Sequence, residues 1–265
     1  MSKLSHFKQI SGAQGSNTGG MFEHKETGER FYVKRLDTDD HARNEVLAAK
    51  LYELAGVKVP EVKFVEIDNH LLGGHGSDIG VASKIIEGLQ KLPRDISKVK
   101  GVAEGFAADA WLANWDVVGL SYDNLLHQDG EAVRIDHGGA LKYRAQGAPK
   151  GSRFGDDPLE LESLRDMSMN PQAASVFSQV LPHQIARGIE TIKSISDASI
   201  RAVVRKYGPP DVKENLDLAD KLIRRRDSLA AKLSRFTKTA SRSVWGRMAR
   251  ELDLIAAHLL GVGRN

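Results

Sequence analysis

The sequence predicts an α+β protein with a small β-rich first part and a larger, mainly helical second part. In the first third, short β-rich runs alternate with glycine and polar turns: Met21 to Glu23, Phe31 to Leu36, Glu61 to Ile67 and Gly80 to Ile86. Beyond Gly147 the apolar residues change period. Ile185, Ile189, Ile192 and Ile195 recur at three- and four-residue spacing, as do Leu222, Leu229, Leu233 and Phe236. A chain of 265 residues, 41% hydrophobic, has the core for one bilobal unit or two small domains.

The elements follow in order. Ser11 to Gly20 is a flexible stretch with four glycines. In Phe31-Tyr32-Val33-Lys34-Arg35-Leu36 the alternation of a strand sets Lys34 opposite Val33. Ala42 to Leu54 reads as a helix, with Val46, Leu47, Leu51 and Leu54 on one stripe and Glu45 beside it. The glycines of Leu72 to Gly80 fit a hairpin between two strands. Val99 to Trp115 reads as a helix that buries Phe106, Ala110, Trp111 and Ala113, with Trp111 and Trp115 as core anchors for the loop at Asp116. Leu125 and Leu126 make one strand and Val133 and Ile135 the next, joined by the turn Gln128-Asp129-Gly130. A Gly/Pro-rich link from Gly147 to Pro158 precedes a helix from Leu159 to Met167, and Asn170-Pro171 opens another. Ser196-Asp197 and Pro209-Pro210-Asp211 mark later breaks.

The chemistry gathers between Trp111 and Ala140. Asp116 on a loop, with Asn124 and Asp136 at the ends of neighbouring strands, would aim an acid, an amide and a second acid into one cleft. An aspartate at a strand end is by itself an ordinary solvated cap. The set of three is what transfer of a phosphoryl group from a magnesium-bound nucleotide requires: one acid to orient the attacking hydroxyl, two oxygen ligands for the metal. Upstream, in the order such an enzyme needs, stand a glycine-rich cover, a strand lysine for the phosphates and a helix acid, Glu45, to hold it.

These residues resemble the protein-kinase-like superfamily, and its atypical branch of HipA-like, actin-fragmin and phosphatidylinositol kinases more than ordinary eukaryotic protein kinases. The resemblance covers roughly residues 8 to 145. It implies a bilobal fold, with an N-lobe over residues 1–88 and a C-lobe over 89–265. It also implies ATP and Mg2+ as cofactors. Under it Lys34 contacts the phosphates, Glu45 holds Lys34, Asp116 is the catalytic acid, and Asn124 and Asp136 bind magnesium. Gly15, Ser16, Asn17, Thr18 and Gly19 cover the phosphates, and backbone near Lys84 and Ile86, before the hinge at Gly88, faces the adenine. The departures are specific. No Gly-x-Gly-x-x-Gly or Walker loop is present, Asn114-Trp115 replaces His-Arg, His137 replaces the phenylalanine after the metal-binding aspartate, and no Ala-Pro-Glu follows. Asp116 and Asn124 are eight positions apart rather than the usual five, so either the loop is longer or Asp123 is the catalytic acid. His137 either packs or tunes the metal site through a hydrogen bond.

The composition excludes several alternatives. With no cysteine there is no disulfide, thiolate nucleophile or Cys-based zinc site. No His-Glu-x-x-His pair and no Gly-x-Ser-x-Gly elbow occurs. No apolar run approaches a membrane span and Met1 to Ile10 is polar, so a soluble, cytoplasmic protein is expected, with export to a host cell left open. The net charge of +3 conceals an asymmetry: from Gln184 onward 17 Lys and Arg face 9 Asp and Glu. Arg235, Lys238, Arg242, Arg247 and Arg250 form either a solvated helix face or a dock for a polyanionic partner. The expected activity is that of an atypical Ser/Thr protein kinase with a protein substrate, self-modifying at Ser11, Ser16 or Thr18. The alternatives are a small-molecule or lipid kinase of the same fold and a pseudokinase-like basic interaction module.

Overall fold

The computed structural model describes residues 1–13, 17–73 and 75–261, with side chains as far as residue 237. Among the described residues the first third makes a six-stranded sheet: β1 (Ser2–Lys3), β2 (Phe7–Ser11), β3 (Thr18–His24), β4 (Arg30–Arg35), β5 (Val62–Glu66) and β6 (Ile79–Lys84). Their spatial order is β1-β5-β6-β4-β3-β2, antiparallel except for β1 against β5. The alternation of β4 divides its residues between two faces. Phe31 and Val33 join Leu4, Phe7, Phe22, Val65 and Ala82 in one apolar cluster. Lys34 points the other way and pairs across the sheet with Val81, which packs with Val62, Ala42 and Val46 on the side of the first helix.

That helix, α1 (Asp39–Leu54), starts at Thr38, whose hydroxyl accepts from the His41 N–H at 3.2 Å, and carries Asp39 and Asp40 in its first turn, where the helix dipole favours acids. It serves two cores. Ala42, Val46 and Ala49 pack on the sheet, whereas Leu47, Leu51 and Tyr52 belong to the helical core beyond.

The remainder holds a three-stranded sheet, β7 (Gln90–Lys91), β8 (Leu125–Gln128) and β9 (Glu131–Arg134), with helices α2 (Val102–Trp111), α3 (Glu160–Ser163), α4 (Pro171–Phe177), α5 (Pro182–Lys193), α6 (Asp197–Tyr207) and α7 (Val212–Gly261). Trp111 is fully buried and its indole N–H donates to the Leu222 carbonyl at 2.9 Å, tying α2 to α7. A buried polar knot lies beneath the small sheet. The Arg134 guanidinium donates to both oxygens of Asp109 at 2.6 and 2.7 Å, the Tyr52 hydroxyl donates to Asp109 at 2.9 Å, and the Asn114 amide donates to Tyr52 at 3.0 Å.

Three expectations change. The helix expected to reach Trp115 stops at Trp111, because Ala113 takes a left-handed φ of 51° that swings the chain out toward Asp116. Trp115 is therefore only half-buried rather than a core anchor. The helix expected from Leu159 to Met167 is the single turn α3, and β1 and β2, short and largely polar, gave no periodic signal at all.

Of the basic C-terminal stripe only Arg235 has a described side chain, and the basic residues before it on α7 pair within the chain. Arg224 pairs with Asp156 at 2.8 Å, Arg225 with Glu160 at 2.7 Å, Lys232 with Asp157, and Arg235 with Glu162 at 2.8 Å. Lys221 adds a hydrogen bond to the Phe154 carbonyl at 2.8 Å. The first half of α7 is thus a brace along residues 154–162, and Arg235 is engaged within the chain. The side chains of Lys238, Arg242, Arg247 and Arg250 lie outside the described residues.

Candidate active site

The polar residues of the cleft come from the end of β4, the middle of α1, the loop after α2 and the residues flanking β8 and β9. Lys34, near the end of β4, points at α1, and its ammonium meets Glu45 at 3.0 Å and Asp136 at 2.8 Å. Burial alone would discharge Lys34, but the two carboxylates hold its pKa above that of an ordinary lysine. Burial likewise works against the charge on Asp136, yet Lys34 and the Gly138 N–H keep its pKa below the usual carboxylate value. Asp136 follows β9 with a left-handed φ of 54°, and its side chain is 46% exposed toward the cleft. Burial pushes Glu45 up, against the pull of Lys34. Helix α1 is itself pinned to the chain after Asp136. The Asn44 amide donates to the Ala140 carbonyl at 3.0 Å and accepts from the Lys142 N–H at 3.1 Å.

Across the cleft, the Asn124 amide donates to the backbone carbonyl of Asp116 at 2.9 Å and to its carboxylate at 3.1 Å. The Asn114 side chain accepts from the Asp116 N–H at 3.2 Å. Asp116 is thereby fixed on both sides. Burial first, then the charges of Asp136 and Asp123, lift its pKa to about 6, while the Asn124 hydrogen bond and Lys34 pull the other way. Asp123 folds back on the loop, since a Cβ on Gly119 (φ 78°) would lie 2.3 Å from its carboxylate. His137 is buried against Tyr52, ring centroids 5.4 Å apart, with its Nε2 unpartnered; burial takes its pKa down to about 4 and leaves it neutral. Packing is the role this geometry gives it.

The cleft has two connected halves that share Asn17, Glu45, Asp123, Asn124 and Asp136. One, of about 1210 Å³, is walled by Tyr32, Pro60, Leu89, Ile135 and residues 83–86 and contains Lys34. The other, of about 760 Å³, contains Asp116, Gly119, Leu120, Ser121 and Gly139. Lys84 and Ile86 both line the larger half, with the Lys84 ammonium turned to Glu29 at 2.5 Å. Thr18 and Gly19 lie at the start of β3, paired with Arg35 and Lys34. Gly15 and Ser16 lie outside the described residues.

The donor set suits magnesium. Asn124 gives its N–H group to Asp116, which leaves the amide oxygen for a cation, and Asp136 supplies carboxylate oxygen. Among the described residues no three His, Cys, Asp or Glu side chains form a metal cluster. Mg2+ is ordinarily held by one or two side-chain oxygens together with substrate phosphates, so two oxygen ligands facing an open cleft fit it.

Several residues that build the site carry no signal in the sequence. The Trp115 indole donates to Glu160 at 2.8 Å, and Glu160 is in turn locked by Arg225, which also holds the carbonyls of Ala110, Trp111 and Gly155. In place of an Ala-Pro-Glu the chain has Pro158-Leu159-Glu160, whose buried acid is the middle link between Trp115 and Arg225. Lys150 is buried beside the Asp116 loop. This acid, Glu160, and the two bases, Lys150 and Arg225, stand about 34 to 109 positions beyond Asp116 and are legible only once the chain is folded.

No protein-family model and no curated protein sequence matches the chain. Among solved structures it is similar to the proinflammatory kinase CtkA of Helicobacter pylori, with 15% identity over 86% of this chain and 96% of that one and a TM-score of 0.52. An aminoglycoside phosphotransferase from Alicyclobacillus acidocaldarius aligns at 12% identity over 91% of this chain and 96% of its own, with a TM-score of 0.32 that carries no weight. At such identity the likeness to CtkA concerns the fold alone. The chain has the bilobal protein-kinase-like fold. No described helix is long and apolar enough to cross a membrane.

Proposed function

We propose that the chain is an ATP- and magnesium-dependent phosphotransferase with an alcohol group as acceptor, acting on Ser or Thr of a protein. The observation that carries this reading is the single cleft in which Lys34 bridges Glu45 and Asp136 while Asp116 is fixed by Asn124 on the opposite side. A buried ammonium held between two acids is set to receive phosphate oxygens. Magnesium, held by Asn124 and Asp136, would neutralise charge developing on the transferred group. Asp116, with its pKa near 6, orients the acceptor hydroxyl and takes its proton. Adenine fits the larger half of the cleft, against Ile86 and Leu89, with the lobes divided near Gly88. A protein acceptor is favoured by the open side of the smaller half, where Leu120 is 75% exposed beside Asp116.

The test is transfer of label from γ-labelled ATP with Mg2+, first to the protein itself and then to a cell lysate. Label on protein Ser or Thr is expected, lost on chelation; label confined to small molecules would move the acceptor to another class. Nucleotide binding is checked separately. Lys34→Ala removes a charge-assisted contact of about 1.5–3 kcal/mol, so Mg-ATP affinity is expected to fall at least about tenfold. Equal thermal stabilisation of wild type and variant by Mg-ATP would count against the site.

A further inference from the structure

Lys150 takes no part in the chemistry above, yet it is only 3% exposed. Its ammonium donates to three carbonyls: Ala113 at 2.7 Å, Gly139 at 2.9 Å and Leu141 at 2.9 Å. They belong to two separate pieces of the site. Ala113 is the turn from α2 into the loop of Asp116, whereas Gly139 and Leu141 follow Asp136. The acid in its neighbourhood, Glu160, is committed to Arg225 and Trp115. The face of the Trp115 ring lies 4.9 Å from the Lys150 nitrogen.

We propose that Lys150 is a positioning residue for phosphoryl transfer, clamping the loop that carries Asp116 to the segment that carries Asp136. The proposal rests on the phosphotransferase reading of the cleft. Three N–H bonds of an ammonium match three acceptors, where a neutral amine has only two to give. Burial drives the pKa of Lys150 down to about 7, with Glu160 opposing and Arg225 and Arg144 adding to the fall; hydrogen bonds to three acceptor carbonyls favour the charged form. Two of those carbonyls come from residues with left-handed backbone, Ala113 (φ 51°) and Leu141 (φ 53°), conformations that persist only where the surroundings over-determine them. The third is pressed directly on the acid: a Cβ on Gly139 would lie 2.7 Å from Cβ of Asp116. Movement of this segment therefore moves Asp116, and a misplacement of about 1 Å can cost on the order of a hundredfold in rate. Lys34 stands on the sheet and Glu45 on α1, and both meet the clamped segment only indirectly, through the Lys34–Asp136 pair and the Asn44 bonds to Ala140 and Lys142, so nucleotide affinity should respond less than transfer.

The experiment compares wild type, Lys150→Met and Lys150→Arg as full chains by single-turnover transfer from labelled ATP, Mg-ATP titration and amide hydrogen exchange. Lys150→Met is expected to lose transfer by roughly 10- to 100-fold at saturating nucleotide, with Mg-ATP affinity within about threefold of wild type. Protection should fall at residues 113–116 and 139–141 and little elsewhere. Lys150→Arg should recover part of the rate, since its guanidinium still offers several donors; it carries the comparison should Lys150→Met not fold. Transfer within twofold of wild type in folded Lys150→Met, or a loss of transfer accounted for by weaker Mg-ATP binding, overturns the proposal. A wild type that transfers nothing removes the phosphotransferase reading itself, whereas unchanged exchange in an active wild-type background removes only the clamp.

Discussion

Asp116→Asn is expected to bind Mg-ATP as wild type does and to lose phosphoryl transfer by about two to four decades, the range of general-base and positioning contributions. Asparagine keeps the shape and the hydrogen-bonding partners Asn114 and Asn124 but cannot accept a proton. The same loss should appear as an acid limb in wild type. Because kcat/KM reports the free enzyme, it should fall as pH drops through about 6, where Asp116 takes up its proton, and Asp116→Asn should lack that limb. Asp136→Asn should instead weaken metal-dependent nucleotide binding, since it removes a ligand and one partner of Lys34. Asp123→Asn should cost less than either, because its carboxylate is turned back against Gly119. Single-turnover transfer and nucleotide titration on the three variants separate the roles. An active Asp116→Asn beside a silent, nucleotide-binding Asp123→Asn would move the acid to Asp123.

Arg134→Met carries the largest expected effect on stability. Arg134 is 1% exposed and Asp109 fully buried, so removing the guanidinium strands a carboxylate with only the Tyr52 hydroxyl to solvate it. Breaking such a pair by one partner costs about 3–5 kcal/mol. Urea unfolding should show a midpoint lowered accordingly at unchanged slope. Asp109→Asn with Arg134→Met should recover much of the loss, because no uncompensated charge remains. A loss under about 1 kcal/mol in the single variant would mean that the knot is hydrated.

How far the sequence discloses this molecule depends on the range of each interaction. Lys34, Glu45, Asp116, Asn124 and Asp136 stand beside strong local patterns, a strand alternation, a helical stripe or a turn, and the fold brings all five to one cleft. The expected α+β, kinase-like architecture is the one observed. What the sequence hides is pairing at long range. Arg134 reaches Asp109 across 25 positions, Lys150 reaches Ala113 across 37, and Arg225 reaches Glu160 across 65, none with a periodic signature. Element ends fail for a related reason: α2 ends at Trp111 because the loop must deliver Asp116 to the cleft, against the helical preference of Leu112 and Ala113.

The brace formed by α7 also sets an order of events during synthesis. Lys34, Glu45, Asp116, Asn124 and Asp136 have all been translated once Asp136 is made, but the contact chain that steadies the Asp116 loop runs from Trp115 through Glu160 to Arg225. A nascent chain therefore holds all its site residues well before the loop among them is held in place. A polypeptide interrupted between Glu160 and Arg225 keeps those five residues but lacks the contacts of Arg225 to Glu160 and to the carbonyls of Ala110 and Trp111.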